Sequence, residues 1–95
     1  MSYYTVLSAT NTLLSQQHFA MRRCRRRFNG PHRYVLFDTE GHTVHFSEQT
    51  RVRRMGYTLL EILEWLIHSP NPEISRTART LRNESEDWYQ IKAAI

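Results

Sequence analysis

Five arginines within six positions, Arg22-Arg23-Cys24-Arg25-Arg26-Arg27, are the densest chemistry in the sequence. Guanidinium groups crowded this closely repel one another unless an anion is near. A guanidinium makes planar, two-pronged contacts with phosphate or carboxylate and stacks on aromatic rings, which an ammonium does not. Each arginine that neutralises a phosphate adds a salt-dependent increment of affinity. Phe19, just ahead of the cluster, is an aromatic that can stack on a base. Arg51, Arg53 and Arg54 form a second cluster, which extends the first if the two segments pack side by side. The formal charge of +4 is uneven. Residues 1–47 set six arginines against Asp38 and Glu40, whereas residues 48–95 are balanced.

The residues of catalysis are present but not arranged for it. His42 and His45 are three apart on a β-prone segment, so they point to opposite faces and cannot share a metal. Cys24 falls on an apolar helical stripe, where a thiol behaves as a small hydrophobe. The three glycines sit apart, so no glycine-rich loop can cradle a phosphate. Paired acids occur at helix starts, where capping accounts for them. The expectation is a protein that is not an enzyme and uses neither a metal nor a cofactor.

The elements that must position the arginines follow from periodicity and punctuation. Tyr3 to Leu7 is a short β-prone run and a candidate strand. Thr10 to Phe28 reads as a helix with Leu13, Leu14, Gln17, Ala20, Met21, Cys24 and Phe28 on one side. Ser15, His18, Phe19, Arg22, Arg23 and Arg26 lie opposite, and Arg25 and Arg27 flank the stripe. Asn29-Gly30-Pro31 stops that helix. Arg33–Asp38 and His42–Phe46 read as the two strands of a hairpin, with Gly41 at the left-handed position of a Thr39-Glu40-Gly41 loop. Tyr34, Leu36 and Asp38 share one face, Val35 and Phe37 the other.

Ser47 is an N-cap candidate. The helix after it, Glu48 to His68, carries Val52, Met55, Leu59, Ile62, Leu63, Leu66 and Ile67 on one wide face. Gly56 inside it marks a bend or an end. Asn71-Pro72 is an N-cap and N1 pair for a helix through Arg82 that buries Ile74, Ala78 and Leu81. Ser85 reads as the N-cap of a fourth helix, with Glu86 and Asp87 in its first turn. The fold class is α+β. A small antiparallel sheet, the hairpin plus the N-terminal strand, packs against helices in the order β-α-β-β-α-α-α.

Ile62 to Ile95 resembles the helix-turn-helix pattern of DNA-binding regulators, and within it Ile74-Ser-Arg-Thr-Ala78-Arg-Thr-Leu81 has a small residue at the helix crossing and an apolar one three positions on. Trp88 and Ile91 match the core residues of the second helix. The resemblance implies DNA reading by that second helix. However, Arg82 stands where that turn has glycine, and Glu84, Glu86 and Asp87 would meet phosphates at its N-terminal end. These departures favour a plain αα-hairpin packed on the core.

The 95 residues suffice for one domain, taken as residues 1–95, and 40% of them are hydrophobic. The lone cysteine fits a reducing compartment. No run approaches the roughly 18 apolar residues of a membrane span, and no secretory leader pattern opens the chain. The expected location is the cytoplasm, with no membrane partner. Tyr57 and Trp65 border the apolar face of the long helix and are candidate contacts for a partner or for a second copy of the chain. The leading expectation is a small non-catalytic regulator binding DNA or RNA through an Arg-rich helix. Its interface would comprise Phe19, Arg22, Arg23, Arg25, Arg26, Arg27, Arg51, Arg53 and Arg54. The alternative is an adaptor or inhibitor of the phage or plasmid type that docks the same arginines on an acidic protein surface.

Overall fold

A computed structural model of the chain describes residues 3–24, 32–46 and 56–94, with side chains up to residue 84. The first helix, α1, spans Tyr3–Gln16 and buries Val6, Thr10, Leu13 and Leu14. That spacing puts all four on one side of a helix. The Tyr3–Leu7 run is therefore helical and not a strand. Thr5 and Val6 favour β structure only weakly, and the burial of one face overrides that preference. Thr10 is a polar residue on this face, and its hydroxyl donates to the Val6 carbonyl at 2.7 Å, so it is buried without a lost hydrogen bond.

The helix ends well before Phe28. His18 adopts a left-handed backbone, φ 65°, and the Phe19 N–H turns back to the Leu14 carbonyl at 2.9 Å. This is a helix C-terminal cap with histidine in the place glycine usually holds. The chain then runs extended as β1, Ala20–Arg23. The expected Thr10–Phe28 helix is thus two elements over its described part. A helix would stack the arginines on one side, whereas a strand sends successive side chains to opposite faces and separates their charges.

The strand β2, Arg33–Phe37, lies at the centre of the sheet. On one side it pairs antiparallel with β1, setting Met21 opposite Leu36 and Arg22 opposite Val35. Its other side is shared by two short strands, β3, Thr43–Val44, and β4, Tyr57–Thr58, both antiparallel to it. The β2–β3 hairpin forms as expected. Asp38 carboxylate oxygen Oδ1 accepts the N–H groups of Glu40 and His42, each at 2.9 Å, and Gly41 takes φ 83°. A side-chain acceptor at the first position and glycine where the backbone turns left-handed are what such a loop needs.

Residues 47–55 lie outside the described residues, and with them the Ser47 cap, Val52 and Met55. The expected helix from Glu48 through His68 is not continuous. Gly56 has φ 79°, β4 follows, and the second helix, α2, runs Leu59–Ile67. Thr58 caps it. Its hydroxyl accepts the Glu61 N–H, and the Glu61 carboxylate accepts the Thr58 N–H, a reciprocal capping box. A Cβ at Gly56 would stand 2.6 Å from the Tyr34 carbonyl oxygen, so the β4–β2 approach requires glycine there.

The third helix, α3, spans Pro72–Ala94 without a break. Asn71 caps it as expected, its side-chain oxygen accepting the Glu73 N–H at 3.0 Å. The Ser85 start of a fourth helix is corrected, since Arg82 to Ser85 contain neither glycine nor proline to interrupt the hydrogen-bond ladder. With no turn at Arg82, the helix-turn-helix resemblance falls away, and so does a hairpin turning there; α2 and α3, joined through residues 68–71, are the helix pair that packs on the core.

The core joins Leu14 of α1, Leu36 of β2, Ile62, Leu63 and Leu66 of α2, and Ile74, Ala78 and Leu81 of α3. Helices against one side of a small antiparallel sheet make an α+β fold of the expected class, and the element order agrees in outline. Among the described residues no helix is long and apolar enough to cross a membrane.

Candidate nucleic-acid interface

Side chains directly opposite in adjacent strands share a face of the sheet. The register therefore sorts the strands into two sets. Met21, Arg23, Tyr34, Leu36, Val44 and Tyr57 point to the helices. Ala20, Arg22, Arg33, Val35, Phe37, Thr43 and Thr58 point to the other face. Burial of the apolar residues follows the division: Tyr34, Leu36 and Tyr57 are in the core, and Met21 and Val44 pack on it, whereas Val35 and Phe37 are half-buried outside that cluster; Thr58 is buried on the other face, where it caps α2.

Arg22 and Arg23 are both exposed on the strand at the sheet's edge. Neither makes an ion pair with a carboxylate among the described residues. The Arg22 guanidinium carbon stands 5.4 Å from the centre of the Phe37 ring, within the range of a cation–π contact. A ring held this way still offers area on which a planar group can stack. Arg23, on the helix side, reaches toward Tyr3 and Tyr34, whose hydroxyls share a hydrogen bond. Burial raises the Tyr3 pKa, and the nearby Arg23 charge opposes that rise.

Arg33 behaves differently. Its Nη1 donates to the Gly56 carbonyl at 3.0 Å and lies 3.5 Å from the Glu61 carboxylate. It clamps β2 to the start of α2 and is committed to structure. Glu61 serves both this arginine and the capping box, which leaves it no role in neutralising Arg22 or Arg23.

The other candidates are placed as follows. Phe19 is not exposed among arginines. It is half-buried on the core, its ring 5.6 Å from that of Trp65, because the reversal at His18 swings it inward. Cys24 is half-buried beyond the end of β1, where its N–H donates to the Arg33 carbonyl at 2.8 Å. It does not lie on a helical core stripe. Tyr57 is 2% exposed and is a core residue, not a free contact surface. Phe46 lies between Tyr57 and Trp65, stacked on both, at 3.8 and 4.8 Å between ring centres. The Phe46 N–H also donates to the Tyr57 hydroxyl at 2.9 Å. This stack accounts for Tyr57 and Trp65 within one copy of the chain. Arg25, Arg26, Arg27, Arg51, Arg53 and Arg54 lie outside the described residues.

Phe37 and the tyrosines beside Arg23 had no part in the expected interface. The alternation along residues 33–37 already set Phe37 opposite to Leu36. Its partner Arg22 was hidden by the helical reading of residues 20–23. Compared with family models, curated proteins and solved structures, the chain matches none.

Proposed function

We propose that the protein is a non-catalytic regulator that binds nucleic acid through β1 and the sheet face beside it. One observation carries the reading: Arg22 and Arg23 are exposed with no carboxylate partner among the described residues, and Phe37 lies under Arg22. Cations beside an accessible ring on a sheet surface are the elements by which sheet platforms hold single strands, charge taking the phosphates and the ring a base.

The test is binding of a labelled oligonucleotide across a salt series. Wild-type affinity is expected to fall steeply with salt. The Arg22→Ala, Arg23→Ala double variant is expected to bind more weakly and to lower the log–log salt slope by about 1.5. A double variant with unchanged affinity and slope rejects the interface. Purified protein is also expected to lose a 260 nm absorbance excess after a high-salt wash.

A second reading rests on a separate observation. Among the described residues β1 pairs with β2 alone, so its outer edge has backbone groups that an added strand can use. An acidic protein segment could dock there against the arginines. Association that survives nuclease treatment, with no oligonucleotide binding, selects this reading.

A further inference from the structure

A cavity of about 430 Å³ opens between the first turns of α1 and the sheet. Tyr3, Tyr4, Met21, Arg23, His32 and Tyr34 are among the residues that line it, and none of the described lining residues is acidic. Its size falls within the range of small-ligand sites. Tyr4 stands at the cavity 78% exposed, a large hydrophobic side chain left in solvent. Its ring meets Tyr3 edge-on at 5.7 Å, and the Tyr3 ring lies 6.2 Å from that of His32. Among the described residues the cavity thus combines aromatic walls with the exposed Arg23 guanidinium and no carboxylate. An apolar ligand would leave Arg23 without an anion, and a bare anion would leave the rings uncovered. A planar heterocycle joined to a phosphate satisfies both.

We propose that this cavity holds one nucleotide, with its base against Tyr4 and Tyr3 and its phosphate on Arg23. The proposal deepens the nucleic-acid reading, and its strand-bound form rests on that reading. Arg22 and Arg23 are adjacent on the edge strand and point to opposite faces, so a chain of phosphates crossing β1 meets both. A base can enter the cavity only if it is unstacked, which selects a single strand over a duplex.

The test compares three probes by anisotropy or calorimetry: a ten-residue oligothymidylate, an abasic ten-residue backbone of equal charge, and free thymidine 5′-monophosphate. Tyr4→Ser is the variant, because an exposed side chain can be changed without unfolding the core. Wild type is expected to bind the oligothymidylate at least five-fold more tightly than the abasic strand. Tyr4→Ser should shrink that difference to the share that Phe37 supplies and leave abasic binding unchanged. Equal binding of the two strands by wild type overturns the cavity proposal and leaves only the arginine–phosphate part of the nucleic-acid reading, and a ratio untouched by Tyr4→Ser overturns the cavity proposal while that reading stands. Binding of the mononucleotide alone, abolished by Tyr4→Ser, supports the cavity with a free nucleotide as its source and removes the nucleic-acid reading. Failure to bind any of the three overturns both.

Discussion

The two faces of the sheet are built from adjacent residues and do different work. On the helix side Tyr34 and Leu36 are buried among Leu14, Leu63 and Leu66. On the other side Val35 and Phe37 are half-buried outside that cluster, with Arg22 across from Val35. Stability is concentrated on the first face, because removing apolar area from water scales with how completely a side chain is enclosed. The second face retains accessible ring surface and a cation, Arg22, without a carboxylate partner among the described residues. Within that second face Arg33 is held by the Gly56 carbonyl and Glu61, whereas Arg22 has no carboxylate partner among the described residues.

The sharpest way to break this comparison is to truncate neighbours. Leu36→Ala is expected to destabilise by about 3 kcal/mol, read from the shift of a urea unfolding midpoint. Val35→Ala should cost less than about 1 kcal/mol by the same measurement. Equal losses would mean that both faces are enclosed alike.

Gly56→Ala comes next. The left-handed backbone and the 2.6 Å approach of a Cβ to the Tyr34 carbonyl act together. The expected loss is about 2 kcal/mol or more. If Gly56 lay inside a helix, alanine would instead stabilise by about 1 kcal/mol. The sign alone therefore decides whether β4 docks on β2 as described.

Phe37→Ala separates the faces by function. Its stability cost should stay near or below about 1 kcal/mol, while oligonucleotide affinity drops several-fold. A variant that unfolds readily but binds normally would assign Phe37 to the core.

The smallest effect tests the alternation itself. His18→Gly is expected to raise stability by about 0.5 to 1 kcal/mol, because glycine adopts φ 65° without the Cβ penalty. In a helix running on to Phe28 the same change would cost about 1 kcal/mol. A loss would return Arg22 and Arg23 to one side of a helix and dissolve the two-faced description.

Elements defined by neighbouring residues could be read from the sequence. The β2–β3 hairpin rests on Asp38 and Gly41, the start of α3 on Asn71 and Pro72, and the buried side of α2 on Leu59, Ile62, Leu63 and Leu66. Each depends on contacts or backbone geometry a few residues away. The misread segments share the opposite property. Tyr3–Leu7 has local β preference and becomes helix because one side is buried. Ala20–Arg23 has helical spacing and becomes strand because β2 offers hydrogen bonds. Of the interface, Arg22 and Arg23 stood out as cations. Phe37 and the Tyr3, Tyr4 and Tyr34 cavity did not, since they gain meaning only from what β1 brings beside them.

By itself, the sequence determined the α+β class, the turn chemistry and the concentration of positive charge in the first half of the chain. These depend on composition and on short-range geometry, which every residue carries with it. The tertiary structure alone decided that Arg22 and Arg23 face opposite ways, that Phe19 and Tyr57 turn inward, and that Arg33 is spent on Gly56 and Glu61. Those outcomes follow from strand register and from burial against distant segments, whose free energy exceeds the local preferences of a few residues.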